Sequence, residues 1–124
     1  MQHLPQSSEQ PLERRVLVHW DLWDGNVFIK DGRVSGIIDY ERAMWGDPLM
    51  ENGFSSSSSP LDESFVRGYG KNALTKEEQL RCSMYRLYRI LVMIIECDYR
   101  KYSDDGQYKW CLNNLEQELK FLGN

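Results

Sequence analysis

Residues 19–26 have the sequence HWDLWDGN and are followed directly by VFIKDGRVSGIID (residues 27–39), and these two segments are the most informative about the fold. In the second segment, two short runs of β-branched and aromatic residues flank Asp31 and Gly32, a pair that is typical of a two-residue type I′ turn. The pattern predicts a β-hairpin over residues 27–38. Such a hairpin brings the polar residues that precede it close to those that follow it.

The register of this hairpin decides which polar side chains meet. If the turn alone sets the pairing, Lys30 lies opposite Arg33 and, further along the strands, Asn26 lies opposite Ile37. Asp39 is then the diagonal neighbour of Asn26 on one face of the sheet, roughly 7 to 8 Å away between backbones. Mg²⁺ prefers oxygen ligands and keeps several waters, so one carboxylate, one amide oxygen and phosphate oxygens suit it. The sequence therefore predicts a Mg²⁺ site at Asn26 and Asp39.

Asp21 lies in the loop before the hairpin, after the apolar run of residues 16–18. A carboxylate in this place can accept a hydrogen bond from an incoming hydroxyl and orient it for in-line attack on a γ-phosphate. We expect His19 to brace the loop rather than to titrate. Each residue alone is more often an ordinary turn residue, because Asp and Asn side chains bond nearby backbone. Jointly, the pattern His-x-Asp-x-x-x-x-Asn, a hairpin and a flanked Asp matches the catalytic and metal-binding loops of kinases.

On these residues the chain resembles a known family. The segments HWDLWDGN (residues 19–26), IIDYER (residues 37–42) and WGDPL (residues 45–49) are similar to those of the phosphotransferase family that includes aminoglycoside phosphotransferases, choline and homoserine kinases and fructosamine kinases. The resemblance covers about residues 16–54. It implies a protein-kinase-like fold.

The resemblance also implies roles for individual residues. Asp21 would be the catalytic base, and Asn26 and Asp39 would hold the Mg²⁺ that accompanies ATP. His19 and Asp47 would be structural supports, with the Asp47 carboxylate bonding backbone near the loop. The implied substrate is a small molecule with a hydroxyl group, of the aminoglycoside, amino alcohol or sugar-like class.

Two departures from the family pattern matter. The family usually has glycine between the His and the Asp, where this chain has Trp20. Because a bulky residue does not reach positive φ easily, we expect ordinary backbone angles there. The family's N-terminal lobe also carries a phosphate-covering loop, a phosphate-binding Lys with its Glu partner and an adenine-binding hinge, none of which fits into residues 1–18. We therefore expect the ATP-binding N-terminal lobe to be absent from this chain.

The expected organisation is a polar N-terminal segment, residues 1–15, followed by the C-terminal lobe of a phosphotransferase, residues 16–124. Within the lobe we expect a catalytic loop at 19–26, the hairpin at 27–38, a metal loop at 39–47 and a helical part at 49–124. The expected fold class is α+β, mainly α.

Helical patterns dominate the second half of the chain. Thr75 and Glu78 match a capping box, which predicts the start of a long helix. Its apolar residues recur at helical spacing, and we expect them to make it the central buried helix of the lobe: Leu80, Met84, Leu87, Leu91, Ile94 and Ile95.

A last helix is predicted over about residues 107–122, with Asp104 or Asp105 as its cap. Its expected buried stripe consists of Tyr108, Cys111, Leu112, Leu115, Leu119 and Leu122. Between the metal loop and the long helix we expect a helical turn at 49–54, a serine-rich surface loop at 55–60, and a short helix from Asp62 to Tyr69.

Composition narrows the class of protein. A chain of 124 residues that is 41% hydrophobic is long enough for one core. The sequence contains no apolar run near the ~18 residues of a membrane span and no recognisable signal peptide, so we expect no membrane partner and a cytoplasmic protein. A net charge of −4 argues against nucleic-acid binding. Cys82, Cys97 and Cys111 lack a paired spacing, and we expect buried thiols in a reducing compartment.

Three functions remain open. The first is the C-terminal lobe of an ATP-dependent small-molecule phosphotransferase. The second is a noncatalytic kinase-fold remnant or a ligand- or partner-binding module. The third is a complementing subunit whose N-terminal lobe comes from another chain; homodimerisation through apolar surface near the hairpin is a further possibility. We expect the chain alone to turn over ATP negligibly, since positioning and electrostatics supply nearly all of the catalysis in this chemistry.

Overall fold

The computed structural model describes residues 15–51 and 63–123 of the chain. These residues form four short strands and three helices: β1 (Val16–Val18), β2 (Val27–Lys30), β3 (Arg33–Ile37), β4 (Met44–Gly46), α1 (Glu63–Gly68), α2 (Lys76–Arg100) and α3 (Gly106–Leu122). Single turns of 3-10 helix precede β2, at Asp24–Asn26, and follow β4, at Pro48–Glu51. The described part of the chain is α+β with mainly helical content, as the sequence predicts.

Several predictions fall partly outside these ranges. The helical turn predicted at 49–54 is the 3-10 turn Pro48–Glu51 as far as it is described. The serine-rich stretch at 55–60 and the proposed cap Asp62 lie outside the described residues. The predicted short helix is described from Glu63 and ends at Gly68.

The turn of the predicted hairpin is confirmed. Asp31 has a φ of 53° and Gly32 a φ of 73°, and a type I′ turn requires positive φ at both of its central residues. Strands β2 and β3 pair antiparallel, with Lys30 opposite Arg33 as predicted. The two residues of the turn are therefore sufficient to define where the chain reverses.

The predicted register is wrong beyond Ile29. Phe28 lies opposite Gly36 rather than opposite Ser35, because the pairing is interrupted by a β-bulge. The Ser35 hydroxyl donates a hydrogen bond to the carbonyl oxygen of Phe28 at 3.2 Å. This side-chain bond gives the Phe28 carbonyl a partner at the point where the ladder is disrupted, and every later pair is displaced by one residue.

A second two-stranded sheet was not predicted. Strand β1 pairs antiparallel with β4, with Val16 opposite Gly46 and Val18 opposite Met44. The strand β4 lies inside the segment that the sequence indicates as a metal loop. Its pairing carries the 3-10 turn Pro48–Glu51 close to the loop that follows β1.

The start of α2 is confirmed as a capping box. The Thr75 side chain accepts a hydrogen bond from the Glu78 amide at 3.2 Å, and the Glu78 carboxylate accepts one from the Thr75 amide at 2.9 Å. Two amides that would otherwise lack partners at a helix N-terminus are satisfied in this way.

The predicted buried face of α2 is wrong at four of its six positions, and the other two, Leu87 and Ile94, are half-buried. Four residues of the expected apolar stripe have exposed fractions between 45% and 69%: Leu80, Met84, Leu91 and Ile95. The residues of α2 that are buried are Cys82, Ser83, Arg86, Arg89 and Ile90. Helical periodicity therefore locates this helix correctly but assigns the wrong side of it to the interior.

A buried carboxylate on α3 explains the difference. Glu118 accepts hydrogen bonds from the Ser83 hydroxyl at 2.6 Å and from the Arg86 guanidinium, whose Nε lies 2.5 Å from Oε1. All three side chains are buried. Burying a charge is tolerated only when it is paired and hydrogen-bonded, so the two charged residues must face each other. Polar pairing, rather than the apolar stripe, selects the face that α2 turns towards α3.

Helix α3 begins within one residue of the prediction. Asp104 accepts a hydrogen bond from the Gly106 amide at 2.8 Å, while Asp105 occupies the N-cap position without a side-chain cap. Of the expected buried stripe, Cys111 is fully buried, but Tyr108 and Leu119 are exposed. The predicted buried stripe of α3 is therefore only partly confirmed.

The apolar core lies between the 3-10 turn Pro48–Glu51, α1 and α2. Its members are Leu49, Val66, Leu74 and Cys82, with Tyr85 packed against them. Among the three free thiols, Cys82 and Cys111 are buried and Cys97 is half-buried. Within residues 15–51 and 63–123, none of the helices combines the length and the apolar character needed to cross a bilayer.

Candidate active site

Asp21 and Asn26 are joined by hydrogen bonds. Asn26 closes the 3-10 turn Asp24–Asn26 and is only 4% exposed. Its side-chain amide donates to the carbonyl oxygen of Asp21 at 2.9 Å and lies 3.3 Å from the Asp21 carboxylate. Because the nitrogen of an amide donates and its oxygen accepts, this contact assigns the nitrogen to Asp21 and leaves the oxygen Oδ1 for another partner.

Asp39 interacts electrostatically with Asp21, but its backbone position differs from the predicted one. The Ile38 amide donates to the carbonyl oxygen of Asn26 at 3.0 Å, so Asn26 lies opposite Ile38 instead of Ile37. Asp39 is therefore not the diagonal neighbour of Asn26. Strand β3 has already ended, and Asp39 adopts a φ of 63°, in the left-handed region, so the alternation of a regular strand does not determine its direction.

His19 links the two loops. Its Nδ1 accepts a hydrogen bond from the Asp21 amide at 3.2 Å, and its Nε2 lies 2.7 Å from the carbonyl oxygen of Ile38. A carbonyl only accepts, so Nε2 carries the proton and the neutral imidazole uses both nitrogens. The buried ring also makes an edge contact with Tyr40, at 4.6 Å between centroids. The backbone before Asp39 is thus tied to the backbone of Asp21.

The expectation of ordinary backbone angles at Trp20 is wrong, because its φ is 61°. A left-handed conformation costs a non-glycine residue roughly 1–2 kcal/mol. Two contacts offset this cost. The Trp20 amide donates to both carboxylate oxygens of Glu51, at 3.1 and 3.2 Å, and the Trp20 ring stacks on Tyr88 with centroids 5.6 Å apart and planes 2° from parallel. A hydrogen bond to a charged group contributes about 1.5–3 kcal/mol.

Glu51 is the residue that the sequence reasoning missed. It is buried at the end of the 3-10 turn Pro48–Glu51, and its carboxylate accepts hydrogen bonds from the amides of both His19 and Trp20. In the sequence it is an unremarkable acid four residues after Asp47. Only the pairing of β1 with β4, which brings the turn to the loop, gives it this place.

Asp47 occupies the other end of the same turn. Its Oδ1 accepts a hydrogen bond from the Leu49 amide at 3.0 Å, and its Oδ2 accepts one from the Tyr85 hydroxyl at 3.0 Å. Arg81 of α2 forms an ion pair with it at 3.2 Å. Burial, together with the hydrogen bond to Asp47, raises the pKa of Tyr85 to about 12. Asp47 therefore connects the turn to α2.

The charges around Asp21 form one electrostatic group. Burial raises the pKa of Asp21; the Arg42 guanidinium opposes this shift, and the Asp39 carboxylate adds to it. Arg42 in turn forms an ion pair with Glu96 of α2. Arg89, whose pKa burial lowers to about 10, also interacts with Asp21. Two carboxylates and two cations thus act on one another at the loop.

A second ion pair links the segment after Asp39 to α2, in addition to the pair between Arg42 and Glu96. Arg100 lies 2.9 Å from Glu41, on the segment that follows Asp39. Together with the Arg42–Glu96 pair, it attaches this segment to the C-terminal half of α2. A groove of about 580 Å³ lies further along, between the end of α2 and the start of α3, and none of the predicted site residues lines it.

The described residues contain no group of three or more His, Cys, Asp or Glu side chains that could hold a metal ion. Mg²⁺ in proteins usually keeps several ligands that are not protein side chains. Phosphoryl-transfer enzymes hold Mg²⁺ in this manner, with one or two protein side chains and the phosphate oxygens of the substrate. A loop carboxylate and a second one just after a hairpin are typical of phosphotransferases.

The chain belongs to the phosphotransferase enzyme family, whose sequence model matches residues 1–84, more than half of the chain. It is 45% identical over 47 residues to an aminoglycoside 3′-phosphotransferase of Enterococcus faecalis. The aligned stretch covers 38% of this chain and 18% of that protein. It is 50% identical over 36 residues to an aminoglycoside 3′-phosphotransferase of Staphylococcus aureus. This second alignment covers 29% of this chain and 14% of that protein.

The chain therefore spans less than a fifth of the length of these curated relatives. No solved structure matches the chain significantly. The expected resemblance to the family is confirmed by the family match, which includes residues 19–47.

Proposed function

We propose that this chain contributes the catalytic and metal-binding loops of an ATP-dependent phosphotransferase, which transfers the γ-phosphate of ATP to a hydroxyl group of a small molecule. The observation that carries the proposal is the hydrogen bond between Asn26 and Asp21 beside an electrostatically coupled Asp39. Family membership supports the same reaction class.

Asp21 is assigned as the catalytic base. Its carboxylate accepts a hydrogen bond from the acceptor hydroxyl and takes up the proton as the hydroxyl oxygen attacks the γ-phosphorus. The bond from that phosphorus to the bridging oxygen breaks, and ADP leaves. The raised pKa of Asp21, which burial causes, favours proton uptake at this carboxylate.

Asn26 and Asp39 are assigned as the ligands of Mg²⁺ and, through it, of ATP. The donor set suits this ion, because Asp39 offers carboxylate oxygens and the Asn26 nitrogen is engaged with Asp21, which leaves the amide oxygen. When bound, the ion would neutralise charge on the phosphates. Its remaining ligands would be water and phosphate oxygens.

Three further residues are assigned as supports. His19 joins the backbone of Asp21 to that of Ile38, Glu51 holds the amides of His19 and Trp20, and Asp47 anchors the turn on which Glu51 lies. Catalysis by positioning depends on such contacts, since small displacements of a reacting group cost large factors in rate.

In this proposal, residues 16–124 form the C-terminal lobe of a protein-kinase-like fold, which acts together with an ATP-binding lobe. Apolar side chains exposed on β2, β3 and β4, among them Ile29, Val34 and Trp45, support a surface that receives a partner. A complementing chain is the partner we propose; a second copy of this chain is the alternative. The setting we propose is the cytoplasm, where ATP is available.

The acceptor we propose is an aminoglycoside, on the strength of the names of the two relatives. Amino alcohols and sugar-like molecules fit the same loop chemistry. A comparison of an aminoglycoside with its 3′-deoxy analogue tests whether the 3′-hydroxyl is the acceptor. Protection of the chain against thermal unfolding by the first compound only would support a 3′-hydroxyl acceptor, and equal protection would contradict it.

The metal assignment is tested by electron paramagnetic resonance with Mn²⁺ as a substitute for Mg²⁺, in the presence of ADP. We expect binding by the unaltered chain, weakened at least about tenfold in Asp39→Asn and in Asn26→Leu. Asp24→Asn is the matched control, because this exposed carboxylate lies in the same loop. Equal Mn²⁺ binding by all four proteins would contradict the assignment of Asn26 and Asp39 as metal ligands.

Turnover is measured separately. We expect negligible ATP consumption by the chain alone, because a triphosphate needs more donors than this loop supplies. Robust Mg²⁺-dependent turnover that Asp21→Asn abolishes would contradict the absent lobe, although it would support Asp21 as the base.

A second candidate is a module that has kept the fold and binds a ligand or partner without catalysis. The exposed apolar side chains on the strands favour it. Ligand binding without any Mn²⁺ binding would point to this candidate.

A further inference from the structure

Trp20 combines two properties that are rarely found together. It is a bulky residue in the left-handed backbone region, with a φ of 61°, and it directly precedes Asp21. Strained backbone angles persist only where the surroundings impose them, and they cluster at functional sites. The contacts that impose this conformation are therefore candidates for a role in positioning Asp21.

One of these contacts comes from outside the loop. The Trp20 ring lies parallel to the ring of Tyr88 on α2, with centroids 5.6 Å apart and planes 2° from parallel. This is the offset-stacked geometry that aromatic pairs prefer. Tyr88 is 58% exposed and lies on the outward apolar stripe of α2, so its position is determined by the helix and not by burial in the core.

We propose that Tyr88 is a positioning residue that acts through Trp20 to hold the backbone turn that aims Asp21. The proposal rests on the proposed function only in taking Asp21 as the group that faces the acceptor. A glycine adopts positive φ without help, whereas a tryptophan in this region depends on its contacts, here the Glu51 hydrogen bonds to its amide and the stack of its ring. Tyr88 provides that partner from a rigid helix.

The backbone contacts on either side of Trp20 show how the effect reaches Asp21. The Trp20 amide is held by Glu51, and the Asp21 amide donates to Nδ1 of His19 at 3.2 Å. Rotation of Trp20 to negative φ would reorient the peptide group between residues 20 and 21. The hydrogen bond from Asp21 to His19 would then be lost, and the Asp21 side chain would point elsewhere.

The test uses nuclear magnetic resonance of the full chain labelled with ¹⁵N and ¹³C. Positive φ gives a strong intraresidue HN–Hα nuclear Overhauser effect, because the two protons are close in that conformation. We expect this signal at Trp20 in the unaltered chain, a marked loss of it in Tyr88→Ala together with a shifted Asp21 amide, and its retention in Tyr88→Phe, which keeps the ring. Tyr99→Ala is the matched control, since Tyr99 is an exposed tyrosine of the same helix.

A second comparison removes the need for the stack. In Trp20→Gly the residue reaches positive φ unaided, so adding Tyr88→Ala should leave the Asp21 amide where Trp20→Gly alone places it. A further shift in the double variant overturns the proposal, as does an unchanged Trp20 signal in a folded Tyr88→Ala. Should that variant lose its fold, Tyr88→Leu replaces it, and an unchanged Trp20 signal there is equally decisive.

These outcomes are independent of metal binding and turnover. If Mn²⁺ binding shows no dependence on Asn26 and Asp39 while the Trp20 signal responds to Tyr88, the proposed function fails and the coupling between the two rings stands. If Mn²⁺ binding behaves as expected and the Trp20 signal ignores Tyr88, only the present inference fails.

Discussion

The loop region, residues 19–51, and the helix pair α2–α3 differ in what determines their structure. In the loop region, short polar side chains bond neighbouring backbone groups, as His19 and Asp47 do. In the helix pair, a buried network centred on Glu118 decides which face is inside, and apolar residues such as Ile95 remain exposed. Both regions depend on buried carboxylates. In the loop region some of their contacts are local, as from Asp47 to the Leu49 amide, and others are distant along the chain, as from Glu51 to the amides of residues 19 and 20, whereas Glu118 contacts residues that lie 32 and 35 positions away.

The two regions show which contacts in this protein can be predicted from sequence patterns and which cannot. The role of a carboxylate beside a turn can be predicted from the residues next to it in the sequence. A carboxylate such as Glu118, whose partners lie 32 and 35 residues away, leaves no local signal. Polar contacts stabilise both regions, and the following substitutions measure how strongly.

The largest effect is expected from Glu118→Ala. Removing one partner of a buried ion pair, here the carboxylate that pairs with Arg86, costs about 3–5 kcal/mol of unfolding free energy. Urea unfolding followed by far-ultraviolet circular dichroism measures the change. Glu116→Ala, on the same helix but exposed and paired with Lys120, is the control and should not alter the midpoint detectably. Equal effects of the two substitutions would show that the buried network is not what holds α3.

Replacing the whole network sharpens the same point. When both partners of a buried ion pair become apolar, stability is often kept or increased. We therefore expect the double variant Arg86→Met with Glu118→Leu to recover most of the loss seen in Glu118→Ala. If the double variant is as unstable as the single one, shape rather than charge pairing governs the interface.

The next effect is expected from Glu51→Ala, in the loop region. It leaves the amides of His19 and Trp20 without their acceptor, and unsatisfied buried donors cost about 1–3 kcal/mol each. We expect about 3 kcal/mol in urea unfolding, together with shifted amide resonances at residues 19–21. Glu51→Gln keeps one oxygen acceptor and should lose about half as much. If Glu51→Ala changed neither the unfolding free energy nor the amide resonances, Trp20 would hold its conformation through the ring stack alone.

A smaller effect, with a pH signature, is expected from Tyr85→Phe. Losing the hydrogen bond to Asp47 should cost about 1–2 kcal/mol at neutral pH. Burial raises the pKa of Tyr85 from 10 to about 12, so the neutral hydroxyl is favoured in the folded chain. Its stabilisation is complete below pH 10 and is lost as the pH rises towards 12.

The measurement is the difference in unfolding free energy between the unaltered chain and Tyr85→Phe across that range. Tyr99→Phe is the matched control, because Tyr99 is exposed on the same helix. A difference that stays constant from pH 8 to pH 12 would contradict the raised pKa.

The smallest effect is expected from Ile95→Lys on the outward stripe of α2. Exposed positions of this kind usually change stability by less than about 0.5 kcal/mol. Ile90→Lys, on the buried face of the same helix, is the control that should unfold the chain at much lower urea. A large loss in Ile95→Lys would restore the apolar stripe as the inner face and would break the comparison between the two regions.

Sequence reasoning succeeded where the partners are close together along the chain. The Asp31-Gly32 turn, the capping box of Thr75 and Glu78 and the two long helices all follow from contacts within a few residues. It failed at the bulge near Ser35, because one inserted residue leaves no mark in the hydrophobic pattern. It also missed strand β4 and with it the place of Glu51, since both depend on pairing with β1.

The chain reversal, the start of α2 and the family could be predicted from the sequence, because each depends on short-range chemistry or on motifs of a few residues. Only the tertiary structure decided that Trp20 adopts positive φ, that Glu51 holds the loop and that a polar face of α2 is buried. The physical reason is that a buried charge or a strained residue is tolerated only when a specific distant partner compensates it, and that partner is chosen by the fold.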